Sequence, residues 1–208
     1  MSHKVSDIVA QPSRATEIRT VTSRSANDRA RGRKYLTRDE VLKLAREARK
    51  NRYGARDSLM ILMAYQHALR VSELVDLKWQ QIDLDGSHQI SIQRAKGSLD
   101  GTHPLQGDTV RALKRYQREC GRSHGYVFIN ERGGTVSIDG FRKMFHRLSE
   151  SVMGIKWNPH ALRHASGVHL INQGADLRTV QQYMGHANIQ NTVAYTALTG
   201  RQFEKLTF

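Results

Sequence analysis

"NPHALRHASGVHLINQG", residues 158–174, reads as one helix with both ends marked. Asn158 is a good N-cap, Pro159 suits the first helical position, and Gly174 suits the far end. Residues three and four apart share a helix face, so His160, Arg163 and His164 point the same way. Three chemistries use such a cluster. Two histidines at i and i+4 have zinc-ligand spacing, but the zinc-protease pattern needs glutamate where Ala161 stands, and Arg163 would set a positive charge beside a dication. A structural role would bond the histidines to backbone groups and put Arg163 in an ion pair. A phosphate site would use the helix N-terminus, the planar arginine fork and an imidazole that donates or shuttles a proton. This stretch alone leaves the last two open.

The rest of the chain shifts the balance towards phosphate. Its 208 residues carry 33 Lys and Arg against 19 Asp and Glu, a net charge of +14, which draws the protein to polyanions. Nucleic acid is the expected partner. A membrane surface is the weaker option, because no long amphipathic basic helix appears, and the longest apolar run, "LMILMAY" at 59–65, is too short to span a bilayer. The opening "MSHKVSDIVAQPSR" lacks the apolar core of a secretory leader, and a single cysteine, Cys120, fits a reducing compartment. A cytoplasmic, nucleoid-associated protein is expected.

Residues 1–33, rich in arginine and serine and without an apolar stripe, are expected to form a basic, disordered N-terminal arm. Order is expected from "TRDE" at 37–40, a capping box, with Val41, Leu42, Leu44, Ala45 and Ala48 as one apolar face. A second helix is expected over about 55–68 and a short third in "VSELVDLKW". "HQISIQRA" (88–95) alternates as a half-exposed strand and returns through Gly97 and Gly101 to Pro104 and Leu105, a small antiparallel unit. A helix over about 108–119, a strand or extended segment "YVFIN" (126–130) and a helix after Ser137 follow. Beyond the 158–174 helix, Asp176 and Asn188 start two more. The predicted fold is mostly α with a small antiparallel β-sheet, an α+β domain.

Further candidates join the cluster from several places. "LRVSEL" supplies Arg70, with Glu73 one turn on; "RAKGSLDG" puts Lys96 at a hairpin tip; "GHANIQNTVAYTAL" supplies His186 and Tyr195. Two arginines, a lysine, histidines and a tyrosine in a strongly basic chain suggest chemistry on a phosphodiester.

The ordered set of Arg70 in "LRVSEL", Lys96, "HALRH", "GH" and Tyr195 in "AYT" resembles the tyrosine recombinase (phage integrase) family over about 34–200. "HALRVSEL…IDL…KG…THPL" is similar, more closely, to the small fimbrial phase-variation recombinases. The resemblance implies the tyrosine-recombinase catalytic fold over 34–200 and site-specific cleavage and rejoining of DNA. Tyr195 would be the nucleophile, leaving a 3′-phosphotyrosine, with no metal, ATP or other cofactor. Arg70 and Arg163 would hold the non-bridging oxygens, Lys96 would protonate the leaving 5′-oxygen, and His160 would assist proton transfer at the tyrosine. His186 would donate a hydrogen bond to the phosphate, and His164 would buttress the site. Glu73 either orients the site or forms a plain helix ion pair. The implied partners are double-stranded DNA with paired target sites, further copies of the chain as a tetramer, and DNA-bending accessory proteins, in a bacterial or mobile-element setting.

The tail 201–208, with Phe203, Leu206 and Phe208, would dock on a neighbouring protomer or pack in cis. A catalytically silent DNA-binding regulator and a type IB topoisomerase are the competing readings. "HALR" also occurs at 67–70, where "QHALR" departs from the family's small-Gly-Leu lead-in; His67 is expected to be structural and the repetition a coincidence.

Overall fold

Thr37 and Glu40 start the first helix as the capping box predicts. The Thr37 hydroxyl accepts from the Glu40 N–H at 3.3 Å, and the Glu40 carboxylate accepts from the Thr37 N–H at 2.7 Å. Arg33, assigned above to the arm, ion-pairs with Glu40 at 2.7 Å. The computed structural model describes residues 32–94, 98–120 and 125–199. Most of the basic arm and the tail 201–208 therefore lie outside the described residues, as does Lys96.

Among the described residues the helices are α1 (Arg38–Ala48), α2 (Gly54–Gln66), α3 (Val71–Val75), α4 (Gly107–Cys120), α5 (Ile138–Met153), α6 (His160–Asn172), α7 (Leu177–Met184) and α8 (Gln190–Thr199). Three short strands, β1 (Ile82–Asp83), β2 (Gln89–Ile92) and β3 (Gly101–Pro104), lie between α3 and α4. The apolar run 59–65 is explained by position. It forms α2, whose Leu59, Met60, Ile61, Met63 and Ala64 are all buried among α1, α4 and α6. Asp176 and Gly185 bound α7 as read: the Asp176 carboxylate accepts from the Arg178 and Thr179 N–H groups, and Gly185 takes a left-handed φ of 64°.

The sheet runs β1-β2-β3, antiparallel throughout. Ile82 faces Ile90, and Ile90 faces His103, so these three side chains cross its buried face in one row. Most buried side chains form one core. A second, small cluster contains Ala68, Val168, Val180, Met184 and Tyr195.

Four differences from the sequence reading have local causes. β1 has only two residues, too few for alternation to register. Residues 126–130 bend at Val127 and Phe128 and join no named strand, making only isolated bridges at Tyr126 and Ile129. Asn158 accepts from the His160 N–H at 2.9 Å, but α6 begins at His160 and Pro159, not Asn158, is its N-cap. The second helix stops at Gln66 because Ala68 turns to a left-handed φ of 51°.

His67 is structural, as expected, and has a measurable consequence. It is 1% exposed, and burial first, then His103 and Arg94, pushes its pKa down to about 3. The unfolded chain takes up this proton below about pH 6.5. The native state refuses it until about pH 3, so His67 stabilises the fold fully above the ordinary histidine range. That contribution is lost as pH falls, at up to about 1.4 kcal/mol per pH unit. Urea unfolding at pH 7 and pH 5 should therefore show a gap that shrinks by about 2 kcal/mol in His67→Leu. An unchanged gap means that His67 is not held neutral in the native state.

Candidate active site

Arg163 projects from α6 into the interior and is only 2% exposed. Its Nη1 donates to the carbonyl of Ala68 and its Nη2 to the carbonyl of Met184, the latter at 2.5 Å. The left-handed turn at Ala68 is what aims that carbonyl. Alanine rarely adopts this conformation, which costs about 1–2 kcal/mol, so surrounding contacts must hold it. Burial, reinforced by Arg94 and Arg70, lowers the Arg163 pKa to about 10, still a cation at neutral pH.

Arg70 leads into α3 and is bound to Glu73 twice. Its backbone N–H donates to Glu73 Oε2 at 2.8 Å and its Nη1 to Oε1 at 2.6 Å. The Arg70 Nη2 donates to Ser98 Oγ at 3.0 Å, and 30% of the Arg70 side chain remains exposed. Burial alone would raise the Glu73 pKa. The Arg70 N–H and the Arg94 and Arg70 guanidiniums outweigh it, and the pKa is lowered. Arg94 donates through Nη1 to the second Glu73 oxygen at 2.8 Å, so the carboxylate bridges two guanidiniums. Arg70 and His160 line one hollow of about 190 Å³ with Ser72, Arg142 and Asn158.

Tyr195, from α8, is 4% exposed and belongs to the small second core. Its ring packs over Gly167 of α6, where an added Cβ would lie 3.0 Å from two ring carbons and 2.9 Å from Met184 Sδ. His164 Nδ1 lies 2.9 Å from the Tyr195 hydroxyl oxygen. His160, expected at this hydroxyl, is exposed instead, with its ring edge-on to His164 at 4.8 Å between centroids. His164 and not His160 therefore stands beside the tyrosine, because helical spacing gives a shared face but not which ring reaches the neighbouring helix. Burial first, then His160, Arg163 and Lys34, holds the His164 pKa down to about 4, so it is neutral at pH 7. Burial raises the Tyr195 pKa, and Arg163 partly opposes this.

His186 follows α7. Its Nδ1 is 2.9 Å from Thr192 Oγ1, and its ring lies nearly parallel to that of Tyr195 at 6.3 Å. Lys96 lies outside the described residues. The sequence reading missed Arg94, Thr192 and Gly167. Of these, Arg94 had a signal: it continues the alternation of Ile90 and Ile92, both buried. Arg70, Glu73, Arg163, His164, His186 and Tyr195 converge from α3, α6, α8 and the turns beside them. The arrangement offers cations for an anion, a neutral imidazole on a buried hydroxyl, and among the described residues no group of His, Cys, Asp and Glu side chains suited to a metal ion.

The family model described as the phage integrase family matches residues 34–201. The type 1 fimbriae regulatory protein FimE of Escherichia coli K12 is 38% identical over 180 residues, covering 84% of this chain and 90% of FimE. The tyrosine recombinase XerC of Staphylococcus saprophyticus is 33% identical over 158 residues, 74% of this chain and 53% of XerC. The crystal structure of XerA recombinase superposes with a TM-score of 0.72 at 25% identity, covering 84% of this chain and 66% of that one.

Proposed function

The chain belongs to the phage integrase family of tyrosine recombinases, and from that premise we propose how its own residues cleave and rejoin DNA. It is a site-specific DNA recombinase. Tyr195 Oη attacks the scissile phosphorus, and the phosphorus–oxygen bond to the 5′-oxygen breaks. The products are a 3′-phosphotyrosine and a free 5′-hydroxyl, and the same bond energy is returned when a 5′-hydroxyl attacks the phosphotyrosine. No metal or ATP enters. The observation that carries this reading is the 2.9 Å contact between the buried Tyr195 hydroxyl and the imidazole of His164.

Ionising a tyrosine at pH 7 costs about 4 kcal/mol even at its ordinary pKa. Burial raises that cost here, so the proton leaves as the bond to phosphorus forms, and His164 Nδ1 receives it. This assigns His164 more than the buttressing role anticipated for it. Arg70 and Arg163 stabilise the charge on the non-bridging oxygens. His160, beside Arg70 in the shared hollow, contacts the phosphate, and His186 donates to it. Glu73 orients Arg70. Lys96 protonates the leaving oxygen. The working unit is a homo-oligomer, a tetramer, on paired sites, with residues 201–208 docking on the neighbouring protomer and bending proteins assisting.

The test is covalent trapping on nicked DNA from the flanks of the protein's own gene, with EDTA present. An adduct that survives denaturation, with the phosphotyrosine mapped to Tyr195, is expected. Salt-sensitive binding without an adduct on any fragment would instead identify a silent DNA-binding relative.

Gly167→Ala tests the packing behind the nucleophile. The new methyl group displaces the Tyr195 ring, so adduct formation should slow at least about tenfold. The same variant should lose about 1–3 kcal/mol in urea unfolding. Wild-type rates would mean that the ring has room to spare.

A further inference from the structure

Glu73 and the carbonyl of Ala68 are held by a third guanidinium that the mechanism above does not use. Arg94 is 1% exposed at its side chain. Its Nη1 donates to Glu73 Oε2 at 2.8 Å and to the Ala68 carbonyl at 3.2 Å, and its Nη2 donates to the Tyr183 carbonyl at 2.9 Å. The Ala68 carbonyl is the one that Arg163 Nη1 also uses, and Glu73 is the partner of Arg70. Arg94 therefore binds the anchor of each phosphate-holding arginine while keeping away from the open hollow. On the recombinase reading above, we propose that Arg94 is a positioning residue, which fixes Arg70 and Arg163 relative to each other so that both meet one scissile phosphate.

Packing alone does not account for an arginine here. Arg94 lies two residues beyond β2, in step with the buried Ile90 and Ile92, where an aliphatic side chain would fill space at no cost in desolvation. A buried guanidinium beside Arg70 and Arg163 adds repulsion that one carboxylate only partly offsets. The fold also makes room for it. Gly185 has a left-handed φ of 64°, and a Cβ there would lie 2.8 Å from Arg94 Nε and 2.7 Å from the Leu99 carbonyl oxygen. Without Arg94, Glu73 Oε2 keeps only the Arg70 N–H, and the Ala68 carbonyl keeps Arg163. The two arginines then have no common partner.

The experiment compares single-turnover adduct formation by wild type, Arg94→Met and Arg94→Lys on one nicked fragment, at saturating protein. Circular dichroism fixes a temperature at which each variant is folded, and anisotropy measures DNA binding there. Arg94→Met should bind within about threefold of wild type and cleave about 100-fold more slowly, the scale of loss for a small misplacement at a reacting centre. Arg94→Lys, which keeps the charge but not the fork, should lie between them. A folded Arg94→Met that cleaves within about threefold of wild type overturns the proposal; if that variant does not fold, a wild-type rate for Arg94→Lys does so.

A second substrate separates positioning from other effects. With sulfur replacing the 5′-bridging oxygen, the leaving group needs no proton. The deficit of Lys96→Met should then vanish while that of Arg94→Met persists. Disappearance of the Arg94→Met deficit would mean that Arg94 serves the leaving-group acid and not the arginines. A wild-type protein without any adduct overturns the recombinase reading itself, whereas a wild-type adduct matched by Arg94→Met overturns only the role of Arg94.

Discussion

Tyr195→Phe should abolish the covalent adduct and leave the fold and DNA binding intact. The ring is the part of Tyr195 that packs among Val168, Val180 and Met184, and phenylalanine retains it. What is lost is one hydroxyl and its bond to His164 Nδ1. A single neutral hydrogen bond of this kind contributes about 0.5–1.5 kcal/mol, so the melting temperature should move by a few degrees at most. If the Tyr195 hydroxyl is the attacking atom, its removal leaves no slower version of the same step, and the expected adduct is below detection at every time point. Denaturing gels, anisotropy on the same fragment and a thermal melt read the three quantities together. A persistent adduct would move the nucleophile to another residue and void the mechanism.

Arg163→Lys should fail twice over, in stability and in chemistry. The guanidinium has five N–H donors, and two of its nitrogens already hold the Ala68 and Met184 carbonyls. A lysine head is a single point on a flexible stem and cannot reproduce that fork. At least one of these carbonyls loses its donor from residue 163; Ala68 still has Arg94, whereas loss at Met184 costs about 1–3 kcal/mol. The left-handed turn at Ala68 loses one of the contacts that hold it. The donors that remain on Arg163 are those available to a phosphate, and losing a preorganised donor costs about 10²–10³ in rate. Urea unfolding should show the first loss, and single-turnover cleavage of the still-folded fraction the second. A lysine variant that unfolds and cleaves like wild type would show that charge alone suffices at this position.

Much of this fold is written locally. Thr37 with Glu40, Ser137, Asp176 and Gly185 are end signals that act within one turn of helix, and each does in the structure what its chemistry implies. The apolar alternation around Ile90 and Ile92 gave β2 for the same reason, whereas the two residues of β1 are paired only because β2 is there to receive them. The site was legible as a set of residue types but not as an arrangement. His160 and His164 share a helix face, and only the placement of α8 against α6 decides that His164 meets the tyrosine. Arg94 was hidden by its own chemistry: a charged residue just past the end of a strand reads as exposed, unless the carboxylate waiting for it, 21 positions earlier, is already known.

The two copies of "HALR" carry a consequence for redesign. At 160–163 the word is helical, while at 67–70 its alanine is left-handed, and Ala68 of one copy accepts the hydrogen bond from Arg163 of the other. Residue 68 is where this protein gives up stability to hold an oxygen atom still. Glycine there would relax the turn but admit many further backbone states to the unfolded chain and to the loop itself. An effort to harden this enzyme against heat by relieving backbone strain would start at this position, and would blunt the enzyme there first.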